Sequence, residues 1–334
     1  MAFDPRLRSP KEQPLFVFGV LFSASVWFLL VISVVGLIYG GMIALGILMA
    51  HALFLAYIRG NGVRVSEAQL PGLYERVKLA AQKLGMEQVP EVYVVQAGGS
   101  LNAFATRLFS RRFVVIYSDL VDACRDVRHL DFVIGHEIAH MAAGHLKWNA
   151  FLMPFRLVPW LGAAYSRACE YTCDRAGHHV VGDLEASMRG LCVLAAGGKL
   201  TAQMNLQAFI AQREETGGFW MSIYELVASH PYLCKRVAAL AEIEAPGTLR
   251  PVRRSVLGFV FAPMLGVAAG GGASIAVVMV IYILGIMAAV AIPAFQEYQA
   301  KAEAAALAGP ADVVADDMLD EEPWADDEEA WADE

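Results

Sequence analysis

His136-Glu137-Ile138-Ala139-His140, set in an apolar run from about Leu130 to His145, decides how this chain is read. Residues four apart share one face of an α-helix, so both imidazoles can hold one divalent ion while Glu137 leans over the open coordination position. Phe132, Val133 and Ile134 before the motif and Met141, Ala142 and Ala143 after it describe a buried helix rather than a solvated one. The rival reading is a structural pair of core histidines.

A third ligand must come from elsewhere. A histidine six residues past His140, after a glycine turn, is one arrangement, but Gly144 comes one position late for it and His145 one early, which leaves His145 a supporting or surface group. The better candidate is Glu170, in the helical stretch Ser166-Arg-Ala-Cys-Glu-Tyr-Thr-Cys-Asp-Arg-Ala-Gly177. With His136 and His140 it would complete a site for one Zn²⁺ per chain. Asp174, one turn on, can accept the N–H of a ligating imidazole and fix its tautomer. The competing explanation is a solvent-facing acidic pair at i,i+4, which repels itself and calls for a nearby cation.

His136-Glu-Ile-Ala-His140 followed by Glu170-Tyr-Thr-Cys-Asp-Arg-Ala-Gly177, with Leu101-Asn-Ala-Phe104 upstream and Ser229-His-Pro231 and Arg236 downstream, resembles the HtpX-like and CAAX-prenyl-protease-like family of membrane zinc endopeptidases, which are gluzincins. The resemblance runs from about Gln69 to Ala241. It implies a mainly α fold with a small β-sheet, a gluzincin-type zinc peptidase domain flanked by transmembrane helices. It implies Glu137 as the catalytic base and protein or peptide substrates, in membrane-protein quality control. It also implies His230 as a catalytic residue donating to the oxyanion, and Arg236 as an orienting group for the Asp174 region. In gluzincins an edge strand beside the metal receives the substrate as an added strand, which makes Asn102 and Ala103 candidate substrate contacts. The plainer alternatives are a hairpin loop at Asn102 and a helix-starting His-Pro at His230. One departure stands out: HtpX-type members usually carry two membrane spans between the histidine motif and the glutamate, whereas here 29 residues separate His140 from Glu170.

Hydrophobic residues make up 57% of the 334, which points to a bilayer. Residues 1–14 form a polar tail with Arg6, Arg8 and Lys11, and residues 15–58 follow without a single Asp, Glu, Lys or Arg. That length predicts two spanning helices, roughly 15–34 and 38–58, joined by a very short turn, and is too long for a cleaved signal peptide. Basic residues flank both ends, so the positive-inside rule puts both ends and the zinc domain, residues 59–250, in the cytoplasm of a multi-pass inner-membrane protein. His51 receives no role. The net charge of −8 is uneven: 13 acidic residues and no basic ones lie from Glu303 onward, leaving a body of about +5, suited to anionic lipid and too weak for nucleic acid. The five cysteines are odd in number and lack paired spacing, as free thiols in a reducing compartment do.

Within the domain, residues 66–86 predict a helix, Glu91–Val95 and Phe113–Tyr117 strands joined through a glycine-rich connection, and Asp119–Arg125 a short helix. The aromatic stretch from His145 to Ser166 is too short for two spans and predicts an interfacial segment or a lid resting on the membrane. Helices follow near 184–197, 202–214 and 219–228. A second apolar block, residues 255–293, predicts one or two further spans. Its end, Gly285 to Ala302, resembles the N-terminal helix of type IV pilins, although Ala276 stands where pilins carry a glutamate. Residues 294–334 predict an acidic, disordered tail whose partner, like that of the pilin-like helix, the residues do not name. The reading from outside the enzyme class is a membrane scaffold or chaperone-like adaptor with a structural zinc site. The intact Glu137 speaks against it, because a structural site has no use for a general base.

Overall fold

The computed structural model describes residues 3–269 and 292–304. It is helical with one small sheet. Two long apolar helices, α1 (Glu12–Ile32) and α2 (Val34–Asn61), meet at Ser33, whose hydroxyl accepts from the Gly36 N–H and so starts α2. They fall where the two spanning helices are expected, with outer ends somewhat further out, and both are long and apolar enough to cross a membrane. About 11% of the most apolar stretch of either helix is buried, so among the described residues most of their apolar side chains have no protein partner, as suits a helix facing lipid.

The sheet has the order β1 (Val63–Val65), β2 (Glu91–Val95), β4 (Arg111–Tyr117), β3 (Ala103–Leu108). β2 and β4 pair in parallel, Glu91 opposite Phe113, while β1 and β3 are antiparallel edge strands. The connection expected between Val95 and Phe113 is therefore itself partly a strand: β3 returns along β4 with Ala103 opposite Ile116. The two central strands are buried and read clearly from their Val, Ile and Phe runs. The edge strands, short or half-buried along their length, do not.

One face of the sheet covers the main core with α3 (Pro71–Lys83), α5 (Val127–Ala142), α7 (Pro159–Val181), α8 (Leu184–Thr201, broken at Gly197) and α11 (Leu233–Glu244). The other face, Tyr93, Val95, Phe113 and Val115, packs on Leu55 and Ile58 near the end of α2. The short α4 (Ser118–Ala123), α6 (Met153–Arg156) and α9 (Leu206–Ala211), with α10 (Phe219–Val227) and α12 (Val256–Ala269), complete the named helices. Residues 292–304 are helical and belong to a second compact unit. The remainder of the pilin-like block and the acidic tail lie outside the described residues.

The stretch from His145 to Ser166 packs against the first helix and also lines the cleft beside His230. Leu152, Phe155 and Tyr165 are buried with Leu15, Phe16 and Val20 of α1, and the Trp27 indole N–H donates to the Phe151 carbonyl at 2.7 Å. Phe155 fills the notch left by Gly19, where an added Cβ would lie 2.7 Å from its ring. The segment thus runs alongside the first long helix, anchored to it by these contacts.

Candidate metal centre

The site forms where α5 crosses α7. The helix axes approach closely because two glycines face the crossing. A Cβ on Gly135 would lie 3.1 Å from the Gly177 Cα, and one on Gly177 only 2.9 Å from the Phe132 carbonyl. This brings the His136 and His140 face of α5 against Glu170 and Asp174 of α7. The Asp126 side chain caps α5 through the Arg128 N–H, and the helix ends at Ala142, before Gly144 turns the chain with φ of 85°.

His136 Nε2 lies 3.4 Å from Glu170 Oε2, and His140 Nε2 lies 3.4 Å from Glu170 Oε1. Both imidazoles thus turn the same nitrogen towards one carboxylate, at a separation too long for good hydrogen bonds. Glu170 Oε2 is buried and has no hydrogen-bond partner. Such an orphan is costly unless something else satisfies it. On the far side of His136, Nδ1 lies 3.0 Å from Asp174 Oδ1. Arg236 from α11 closes the back: it donates to both Asp174 oxygens at 2.7 and 2.9 Å, and its guanidinium lies 3.2 Å from Glu170 Oε2.

Apart from the half-buried His140, these groups are buried, so charge must balance locally. Burial opposes ionisation of Glu170 and Asp174, but Arg236 and the imidazoles outweigh it and hold both carboxyls below their ordinary range. Burial also opposes a charge on His136, yet Asp174 and Glu170 raise its pKa to about 10. Two carboxylates against one guanidinium call for one more positive charge, which a protonated His136 supplies here and a cation held by the same residues would supply in its place. The donor set of two nitrogens and one carboxylate, with an orphaned oxygen between them, fits a divalent cation.

Glu137, one position round the helix, is buried, and among the described residues nothing hydrogen-bonds to its carboxylate. His230, in the loop before α11, is exposed, with Nε2 3.5 Å from Glu170 Oε1 and Nδ1 2.9 Å from Ser229 Oγ. It borders a cleft of about 1210 Å³ walled by Arg156 and Ser166 on one side and Tyr224 and Tyr232 on the other. Asn102 and Ala103 lie at the start of edge strand β3, where the Asn102 carbonyl accepts from the Tyr117 N–H at 3.0 Å. Thus His136, His140, Glu170, Asp174, Arg236 and His230 converge. Asn102 and Ala103 stand on a neighbouring element, with no contact to that cluster recorded among the described residues.

A second carboxylate was missed by sequence reasoning. His140 Nδ1 lies 3.2 Å from His145 Nδ1, and His145 Nε2 lies 3.3 Å from Glu12 Oε1 in the first turn of α1. Glu12 is 2% exposed and is also held by Arg8 and by the Thr172 hydroxyl, while the Ser9 N–H donates to Thr172 at 2.8 Å. A single acid beginning an apolar run reads as a helix flank, and no spacing ties it to His140. Cys173 also comes near His136 and His140. Burial and the neighbouring carboxylates push its thiol pKa well up, and its nearest polar partner is His145 Nδ1 at 3.7 Å, so it is a poorer cation ligand than Glu170. All five cysteines are free.

Comparison with known proteins follows the same elements. Residues 67–164 and 152–244 match the model of peptidase family M48. Over 126 residues the chain is 34% identical to a protein named Protease HtpX homolog from Thermodesulfovibrio yellowstonii, a match covering 35% of this chain and 43% of that relative. The match therefore spans less than half the length of the relative. No solved structure gives a significant match. The family match runs through β2 to β4, the α5–α7 crossing and Arg236, over more than half of the sequence, and on that ground the chain belongs to peptidase family M48.

Proposed function

We propose that the chain is a membrane-anchored zinc endopeptidase. The observation that most supports this reading is the convergence of His136 Nε2 and His140 Nε2 on the orphaned Glu170 carboxylate. These three residues would hold one Zn²⁺. When bound, the ion supplies Lewis-acid chemistry, making water acidic near neutral pH and polarising a carbonyl oxygen.

The protein's own groups do the rest. Asp174 accepts the His136 Nδ1–H, which leaves Nε2 as the free lone pair, and Arg236 keeps Asp174 ionised and in place. Glu137, with no competing hydrogen bond, takes a proton from the attacking water and returns it to the leaving amine. His230, with its side chain 63% exposed and so open to a substrate, donates to the oxygen of the tetrahedral intermediate. The free edge of β3 offers backbone groups to an extended substrate at Asn102 and Ala103.

Both outer ends of α1 and α2 touch this domain, which supports placing them on one side of the membrane. The basic flanks favour the cytoplasmic side. The cleft beside His230 is walled by the segment that runs along α1, and this favours substrates drawn from membrane proteins, consistent with a quality-control task.

The test is metal content and cleavage of an unfolded protein by the detergent-purified chain. Wild type should hold one zinc and cut. Glu137→Gln should hold zinc without cutting, and Glu170→Ala should lose the metal. Zinc without cleavage in the wild type would instead favour a scaffold with a structural site. Metal and activity both retained in Glu170→Ala would remove Glu170 from the ligand set.

A further inference from the structure

Away from the metal centre, a cavity of about 360 Å³ opens between the last turns of α2 and the β3–β4 hairpin. Ala52, Leu55 and Ala56 form one wall, and Leu108 and Phe113 the other. Arg59 and Arg111 stand at its rim with Ser110. The hairpin lies along the helix, with Phe54 and Phe104 rings 5.9 Å apart and Thr106 Oγ1 3.3 Å from His51 Nε2. Arg59 is exposed and, among the described residues, has no carboxylate partner. Arg111 is 59% exposed, and its one carboxylate neighbour, Glu91, is 3.9 Å away.

The level of this cavity follows from α2 itself. Its outward apolar side chains continue from Leu37 to Tyr57, and the first charge is Arg59. An interfacial tyrosine followed by an arginine marks where hydrocarbon gives way to headgroups. At that level stands the hairpin tip, Phe109, which is 75% exposed. Its φ is 53°, a left-handed backbone conformation that Gly or Asn adopts at lower cost than a bulky residue. The Arg107 side chain holds the turn by donating to the Phe109 carbonyl at 2.6 Å. Among the described residues nothing packs over the ring, so their folding gives no reason for phenylalanine here.

We propose that this cavity seats one anionic phospholipid. Its phosphate lies between Arg59 and Arg111, and the upper acyl chain lies on Ala52, Leu55 and the Phe109 ring. Two guanidiniums over an apolar slot match a charged headgroup on a hydrocarbon stem, whereas a free phosphate would use only the rim. The inference rests on α2 spanning a bilayer and is independent of the peptidase reading, because its readout involves no cleavage.

The full chain is reconstituted in nanodiscs of phosphatidylcholine with a minor share of phosphatidylglycerol, and the lipid retained per chain is read by native mass spectrometry. The wild type should retain one phosphatidylglycerol in preference to phosphatidylcholine. Arg59→Gln with Arg111→Gln should lower that preference by about tenfold or more, and Phe109→Ser should weaken retention of both lipids. Arg64→Gln, exposed on β1, should change nothing. High salt should weaken the wild-type preference without unfolding the protein, a control that involves no substitution. Equal retention of the two lipids by wild type overturns the proposal. So does an equal loss in Arg64→Gln, which would mean diffuse surface charge. Displacement of the lipid by inorganic phosphate would mark an anion site in place of a lipid seat.

Discussion

The crossing of α5 and α7 and the pair α1 and α2 set the same element in opposite surroundings. At the crossing, glycines let backbones touch, and Glu170, Asp174 and Arg236 are buried against one another. In α1 and α2, large apolar side chains such as Leu21, Phe28, Leu45 and Leu53 face outward, exposed among the described residues. Helical propensity does not distinguish them. What differs is the solvent each was built for, so the same kind of substitution should fail for different reasons in the two places.

The sharpest way to break the comparison is Arg236→Met. Removing the guanidinium leaves Asp174 and Glu170 buried without their cation, and the domain should lose about 3–5 kcal/mol, read by chemical denaturation in detergent. If stability held, the charge balance described for the crossing would be wrong. In the membrane pair, Leu45→Arg should cost about 2.5–3.5 kcal/mol in insertion and show as protein extracted by alkali, with the metal centre of the inserted fraction unchanged. Gly177→Ala should cost about 1–3 kcal/mol by driving a methyl into the Phe132 carbonyl, and should also lower metal affinity, because His136 moves away from Glu170. An unchanged metal affinity there would mean that the two helices slide without disturbing the ligands.

A smaller effect comes from a third region. Glu225, 1% exposed, accepts from Lys235 at 2.6 Å and Arg254 at 2.9 Å. Burial works against its charge, but the two cations hold its pKa below the ordinary 4.5. Its contribution is therefore fully present above about pH 4.5 and is lost as pH falls through the lower folded value. Glu225→Gln should flatten that part of the acid-unfolding curve by about 1–2 kcal/mol, since Lys235 and Arg254 are partly solvated. Smallest of all, Glu12→Gln should weaken metal binding by about tenfold through His145, with the helix still inserted. Full affinity in that variant would reduce Glu12 to a helix-start residue.

Much of the site was legible because its spacing is local. His136 and His140 are one turn apart, Glu170 and Asp174 likewise, and an acidic pair of that kind demands a cation, which Arg236 and the imidazoles supply. The central strands announced themselves by continuous apolar runs. β1 and β3 did not, because an edge strand is buried on neither a full face nor a clear alternation. The path of residues 145–166 along α1 was not legible because aromatic side chains say only that they seek burial, not against what. The notch at Gly19 that receives Phe155 is a fact of three dimensions. Glu12 was invisible for the same reason: its partners Thr172 and His145 lie far along the chain.

That last contact has a consequence for how the molecule is made. Glu12 emerges from the ribosome with the first membrane helix, long before either Thr172 or His145 exists to receive it. The metal-binding face therefore cannot reach its final form until the chain has been synthesised past α7 and has folded back onto a helix already resting at the bilayer. The first helix is thus part of the finished site, and a chain in which it were displaced would also lack the support beneath His140.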